Sequence, residues 1–204
     1  MPTAVLASGS GTILEAISTA GIGVELVAAD RACGALEVAG RLGLSSVLVD
    51  RAAYGGFTKA FDRARYTEAL SAALDASGID LVCMAGFGTI LDATFFERFG
   101  GRVLNTHPSL LPAFRGWHAV RDALAAGASV TGCTVHLATA ELDDGPVLRQ
   151  ASVAVLPGDD EASLHERIKR VERVLYPETI ALVRDALDHG ADPSSVASQA
   201  VPAR

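Results

Sequence analysis

AVLASGSGTILEAISTA, residues 4–20, sets the architecture. Four apolar residues, AVLA (4–7), read as a buried strand. A glycine-rich turn, ASGSGT (7–12), comes at once, and TILEAISTA then opens a helix. Working outward, the same alternation repeats. VELVAA (24–29), SVLV (46–49), DLVCMA (80–85) and RVLN (102–105) are strand-like, and ALEVAGRL (35–42) and residues 58–77 read as helices between them. Strands that alternate with helices predict a parallel sheet covered on both faces. Beyond residue 128 the texture changes. SVTGCTVHLAT (129–139) alternates residue by residue and PVLRQASVAV (146–155) does so less cleanly, and the two are joined by the acidic loop AELDDG, which predicts an antiparallel meander at the sheet edge. Residues 160–188 are helical, with Leu164, Ile168, Val171 and Leu175 on one face, and Pro177 is expected to begin or kink a last helix. The fold class is therefore α/β: a Rossmann-like, mostly parallel open sheet with helices on both faces and an antiparallel edge meander in the C-terminal half. Residues 1–190 are expected to form one domain, and the small, polar segment 191–204 a flexible tail.

Composition narrows the function. The chain has 204 residues, half of them apolar, and a formal net charge of −7. No basic block occurs, so a nucleic-acid groove is not expected. No apolar run is long enough for a membrane span, and the N-terminus lacks the basic start of a signal peptide. Cys33, Cys83 and Cys133 form no CxxC pair and read as buried, reduced thiols, which suits a cytoplasmic protein.

Four stretches can carry chemistry. In the first, Gly9 and Gly11 match the opening of a dinucleotide fingerprint, but Leu14 holds the place of its third glycine and there is no Walker lysine. A turn of this kind aims backbone N–H groups and a helix dipole at one phosphate. Thr12 and Glu15 also have the spacing of a capping box, which would make it a plain helix start. The second stretch is VLNTHPSLLP (103–112). Asn105 is placed at the carboxyl edge of the fifth strand, with His107 just beyond it, and Pro108 and Pro112 stiffen the loop behind them. An amide and a protonated imidazole are two donors that together can hold an oxyanion. The third, ELDDGP (141–146), is either a solvated turn or the source of a carboxylate that keeps His107 protonated. It brings no nearby His or Cys, so no metal is expected. The fourth, AGFGTILD (85–92), borders the same edge and either lines a pocket for a flat ring or is a simple turn. His136, within a strand, and His118, His165 and His189 read as structural.

SGSGT, AGFGTIL, LNTHPSLLPAFRG, TGCTVHLATAELDDGPVLRQ and GDDEASLHERIKRVERVLYP occur in this order. Together they resemble the folate-dependent formyltransferases, and among these the short phosphoribosylglycinamide formyltransferases. The likeness covers residue 4 to about residue 187. It implies transfer of a formyl group from 10-formyltetrahydrofolate to the amine of glycinamide ribonucleotide, by a monomer or homodimer. It places Asn105, His107 and Asp143 at the catalytic positions. Ser10, Gly11, Thr12 and Ile13 fall at the substrate phosphate and Glu172 at its ribose. Arg63, Gly88, Thr89, Ile90 and Leu91 fall on the folate side with Asn105. Three positions depart from the family's usual residues: Ile13 stands for Asn, Gly88-Thr89 for Met-Arg, and Arg115 for Pro. Related readings are a formyltransferase acting on an amino sugar nucleotide and a formyltetrahydrofolate hydrolase. A nucleotide-binding module would have no need of the Asn105–His107–Asp143 set.

Overall fold

A computed structural model describes residues 1–197 and the backbone of residues 201 and 202. The chain divides into two compact units, Met1–Leu104 and Asn105–Arg204. In the first, β1 (Thr3–Ala7) is buried throughout and pairs in parallel with β2 (Leu26–Ala29) on one side and β4 (Leu81–Met84) on the other. β3 (Ser46–Leu48) adds in parallel outside β2. The connections are α1 (Thr12–Thr19), α2 (Gly34–Arg41), a 3-10 turn at Arg51–Tyr54 with α3 (Arg63–Ala76), and α4 (Ala93–Phe99). Because the strands hold apolar residues on both faces, Val5, Leu6, Val27, Val82 and Cys83 are all fully buried.

β5 (Val103–His107) leaves the first unit and enters the second. There β6 (Val130–Leu137) and β7 (Val147–Ala154) form the expected antiparallel pair, with a bulge beside Val135 and His136. β8 (Val201–Pro202) joins β7 in parallel. α5 (Ala119–Ala125) and the long α6 (Glu161–Asp188) pack in this unit, α6 against β6 and β7.

Several local expectations change. Thr12 and Glu15 make no capping box: Gly11 is the N-cap, in a left-handed conformation at φ 80°, and no side chain caps the helix. A Cβ on Gly11 would meet the Ala35 Cα at 2.7 Å, so α2 packs directly against the turn and only glycine fits there. The capping box that does form is at α6, between Asp160 and Ser163. α3 starts at Arg63, not at residue 58, capped by Asp62. α6 runs on through Pro177 as one 28-residue helix. Pro177 is itself buried among Leu175, Tyr176 and Ile180, and that packing offsets the lost backbone bond. Cys83 and Cys133 are buried, but Cys33 is only half-buried, at the N-cap of α2. Burial pushes the Cys133 thiol up to about 12, which makes it inert. In the segment expected as a tail, Pro193–Val196 forms a 3-10 turn packed against α6 and β7. The rest of that expectation lies largely outside the described residues. Among the described residues no helix is long and apolar enough to cross a membrane.

Candidate active site

The fifth strand runs two residues past the end read from the sequence, to His107. Asn105, Thr106 and His107 all continue the β-conformation, and Pro108, with no N–H, comes directly after. In a strand, neighbours point to opposite faces. Asn105 and His107 therefore share one face, while Thr106 points to the other and donates its hydroxyl to Glu172 Oε1 at 2.7 Å.

His107 is buried and held at both ring nitrogens. Nε2–H donates to the Phe114 carbonyl at 2.8 Å, and Nδ1 lies 3.4 Å from Asp143 Oδ2. A carbonyl and a carboxylate only accept, so the doubly protonated ring satisfies both contacts at once. Asp143 Oδ2 also accepts from the Gly116 N–H at 2.9 Å. Phe114 and Asp143 are the two described residues other than glycine with a left-handed backbone, at φ 53° and 52°. Such strain persists only where neighbours fix it, and here both strained residues face the same imidazole. Outside this knot, Arg115 pairs with Asp144 at 2.5 Å. The loop after Pro108 is pinned from beneath. Thr134 Oγ1 donates to the Ser109 carbonyl and accepts from Leu111 N–H, while Gln150 Nε2 reaches the Leu111 carbonyl.

His136, which the sequence reads as structural, lies beside Asn105. Burial lowers its pKa, so it is neutral, and Nδ1–H donates to the Leu137 carbonyl at 3.0 Å. Nε2 is then a bare acceptor, 3.1 Å from Asn105 Nδ2. This contact selects one orientation of the Asn105 amide and leaves its second N–H to point elsewhere. Asp143 Oδ1 is 3.8 Å from His136 Nε2, but a neutral ring makes no ion pair there. A sequence signal for His136 existed: Thr134 and His136 are polar residues two apart in a buried strand, and Thr134 anchors the loop after Pro108 while His136 meets Asn105.

The predicted phosphate turn and ring-binding segment lie in the first unit. Ser8, at the start of the turn, joins them: its N–H donates to the Gly86 carbonyl, and its Oγ accepts from Gly88 N–H at 2.6 Å. Ser10 is exposed, Ile13 is buried in α1, and the first N–H groups of that helix have no carbonyl within the helix. In the second segment Thr89 and Leu91 are buried and Ile90 is exposed. Arg63 stands exposed at the start of α3. Glu172, on α6, is buried, and that burial raises its carboxyl pKa against the lowering bond from Thr106. Among the described residues no three His, Cys, Asp or Glu side chains group as metal ligands.

A strand-end Asn and His with a buried Asp, in a chain that also carries a glycine-rich turn, suit acyl-type group transfer, and residues 1–180 match the formyl transferase family. The chain belongs to that family. It is 47% identical over 182 residues to a phosphoribosylglycinamide formyltransferase of Mycobacterium tuberculosis, covering 87% of this chain and 82% of that one. Two solved structures are similar throughout. One is a glycinamide ribonucleotide transformylase of Symbiobacterium toebii (42% identity, TM-score 0.80, 87% and 84% of the two chains). The other is a phosphoribosylglycinamide formyltransferase of Streptococcus pneumoniae (36%, TM-score 0.81, 89% and 98%). The Rossmann-like, mostly parallel sheet with an antiparallel edge is the fold of these proteins.

Proposed function

We propose that this chain transfers the formyl group of 10-formyltetrahydrofolate to the amine of glycinamide ribonucleotide, as one cytoplasmic formyltransferase domain over residues 1–190, in a monomer or homodimer. The observation that carries the mechanism is the Asn105–His136 and His107–Asp143 pairing on one face of β5. The amine attacks the formyl carbon, and the carbonyl oxygen becomes an oxyanion. The second Asn105 N–H and the His107 Nε2–H donate to the reacting group, with the Phe114 carbonyl giving up its hold on Nε2. As the carbon–nitrogen bond to the folate breaks, the imidazolium protonates the departing nitrogen, and the attacking amine's surplus proton returns the ring to its charged form. Asp143 keeps that charge in place. The turn at Ser10–Ile13 takes the phosphate and Glu172 the ribose hydroxyls. Residues 88–91 face the pterin by their backbone, and Arg63 serves the folate side. The experiment is formyl transfer from a 10-formyl folate with and without glycinamide ribonucleotide. Transfer only to a different amine removes the substrate assignment, and rapid formate release without any amine indicates a hydrolase.

Glu172 gives a separable prediction. Its folded-state pKa is raised, so the stability associated with its neutral form is present below the ordinary carboxylate range and lost as pH rises through the folded value. Glu172→Gln should raise the melting temperature of the free protein at pH 7, on the order of 2–4 °C. That gain should shrink as the pH falls through the raised folded-state value and be gone by about pH 4.3, the ordinary carboxylate range. The same variant should raise the KM for glycinamide ribonucleotide about tenfold, because a charged acceptor is lost. Thermal melts across pH and initial rates check both halves.

A further inference from the structure

A segment that offers its backbone to a ligand binds well only if that backbone is held still. Residues 88–91 are held by an unusual set of tethers. The Thr89 hydroxyl donates to Asp30 Oδ2 at 2.7 Å, and Asp30 is fully buried. The same carboxylate accepts from Arg31 Nε at 3.0 Å and NH2 at 3.2 Å. Burial alone would push the Asp30 carboxyl up, but the bonds from Arg31, Thr89 and Ser8 outweigh it and keep the group ionised. The position that a dinucleotide-binding fold uses for a ribose is therefore fully engaged within the protein.

From the other side comes Arg51. Its NH1 donates to Thr89 Oγ1 at 3.0 Å and approaches the Gly88 carbonyl at 3.4 Å, while Nε donates to the Gly56 carbonyl at 2.9 Å. The guanidinium lies between two phenyl rings, 3.9 Å from the Phe57 centroid and 4.1 Å from that of Phe61. Phe57 also carries Arg31 at 4.8 Å and remains 65% exposed. Fixed on its faces and by its hydrogen bonds, Arg51 is a strut and not a loose surface charge. Gly88 belongs to the arrangement: a Cβ there would come within 2.9 Å of Arg31 NH2 and 3.3 Å of Ser8 Oγ.

We propose that Arg51 is a positioning residue that sets affinity for the formyl-folate donor, by fixing Gly88 and Thr89 so that the backbone of 88–91 is presented to the pterin. The proposal rests on the reading of 88–91 as the donor's segment. A plain staple between the 3-10 turn at Arg51–Tyr54 and that loop would affect folding without choosing between substrates.

Arg51→Met keeps length and ring contact but removes the hydrogen bonds. Steady-state rates with each substrate varied separately should show donor KM up about tenfold, the size of one lost charged hydrogen bond. The KM for glycinamide ribonucleotide should stay within about twofold, and kcat should fall far less than donor KM rises. Arg51→Lys, with one donor within reach of Thr89, should recover part of the loss. Should Arg51→Met fail to fold, Thr89→Val against Thr89→Ser decides: the first raises donor KM and the second restores it. Equal rises in both KM values, or an unchanged donor KM, overturn the proposal. Unaltered chain that transfers no formyl group to glycinamide ribonucleotide sinks the parent reading and this one with it. Normal turnover with donor KM unmoved in the variants sinks this one alone.

Discussion

Replacing His107 with alanine lowers kcat about a thousandfold, the usual worth of a general acid that also donates to the developing charge. In the proposed mechanism the imidazole manages both the reaction's proton and its negative charge. His136, the imidazole beside Asn105, is neutral, commits Nδ1–H to a carbonyl and spends its other nitrogen on Asn105. The variant also leaves the Phe114 carbonyl and the Asp143 carboxylate without their shared partner, at a cost of about 1–3 kcal/mol in stability. Denaturant unfolding alongside single-turnover rates separates the two effects. A folded variant that keeps a tenth of its activity would remove His107 from the chemistry.

Asp143→Asn should be nearly as damaging, although it changes one atom. The position has φ 52°, which asparagine tolerates well, so the backbone turn survives. The amide oxygen can still accept from Gly116 N–H and face His107 Nδ1. Only the negative charge is lost, which in the proposed mechanism is what Asp143 contributes to His107. A carboxylate-to-amide change behind a catalytic histidine costs up to about 10⁴ in turnover where tautomer and charge both matter. About 10³ is expected here, with both KM values close to normal. A loss confined to KM would mean that Asp143 shapes binding and not the transfer step.

Much of this is legible in the residues. Apolar strands alternating with helices mark the parallel half, and period-two alternation from residue 129 marks the antiparallel pair. Asn105, His107 and the acidic loop stand out because polar residues interrupt apolar patterns there. Legibility fails where tertiary contacts overrule local preference. Thr106 and His107 lie past the apolar run, so the pattern ends β5 two residues too early. The helices at Ala93–Phe99 and Ala119–Ala125 are only seven residues long and blend into turn-like neighbours. α3 starts only at Arg63, where Asp62 caps it, and Phe61 just before it lies against the Arg51 guanidinium. Arg51 and Asp30 are invisible as a pair: only the ends of adjacent parallel strands bring them to the same loop.

The two-sided use of β5 imposes a parity on the chain. Residues 105 and 107 serve one side and residue 106 reaches Glu172 on the other, so a one-residue insertion or deletion upstream in this strand would exchange the two roles wholesale. Length changes here are tolerable only in pairs, whereas the loops on either side are free of that arithmetic.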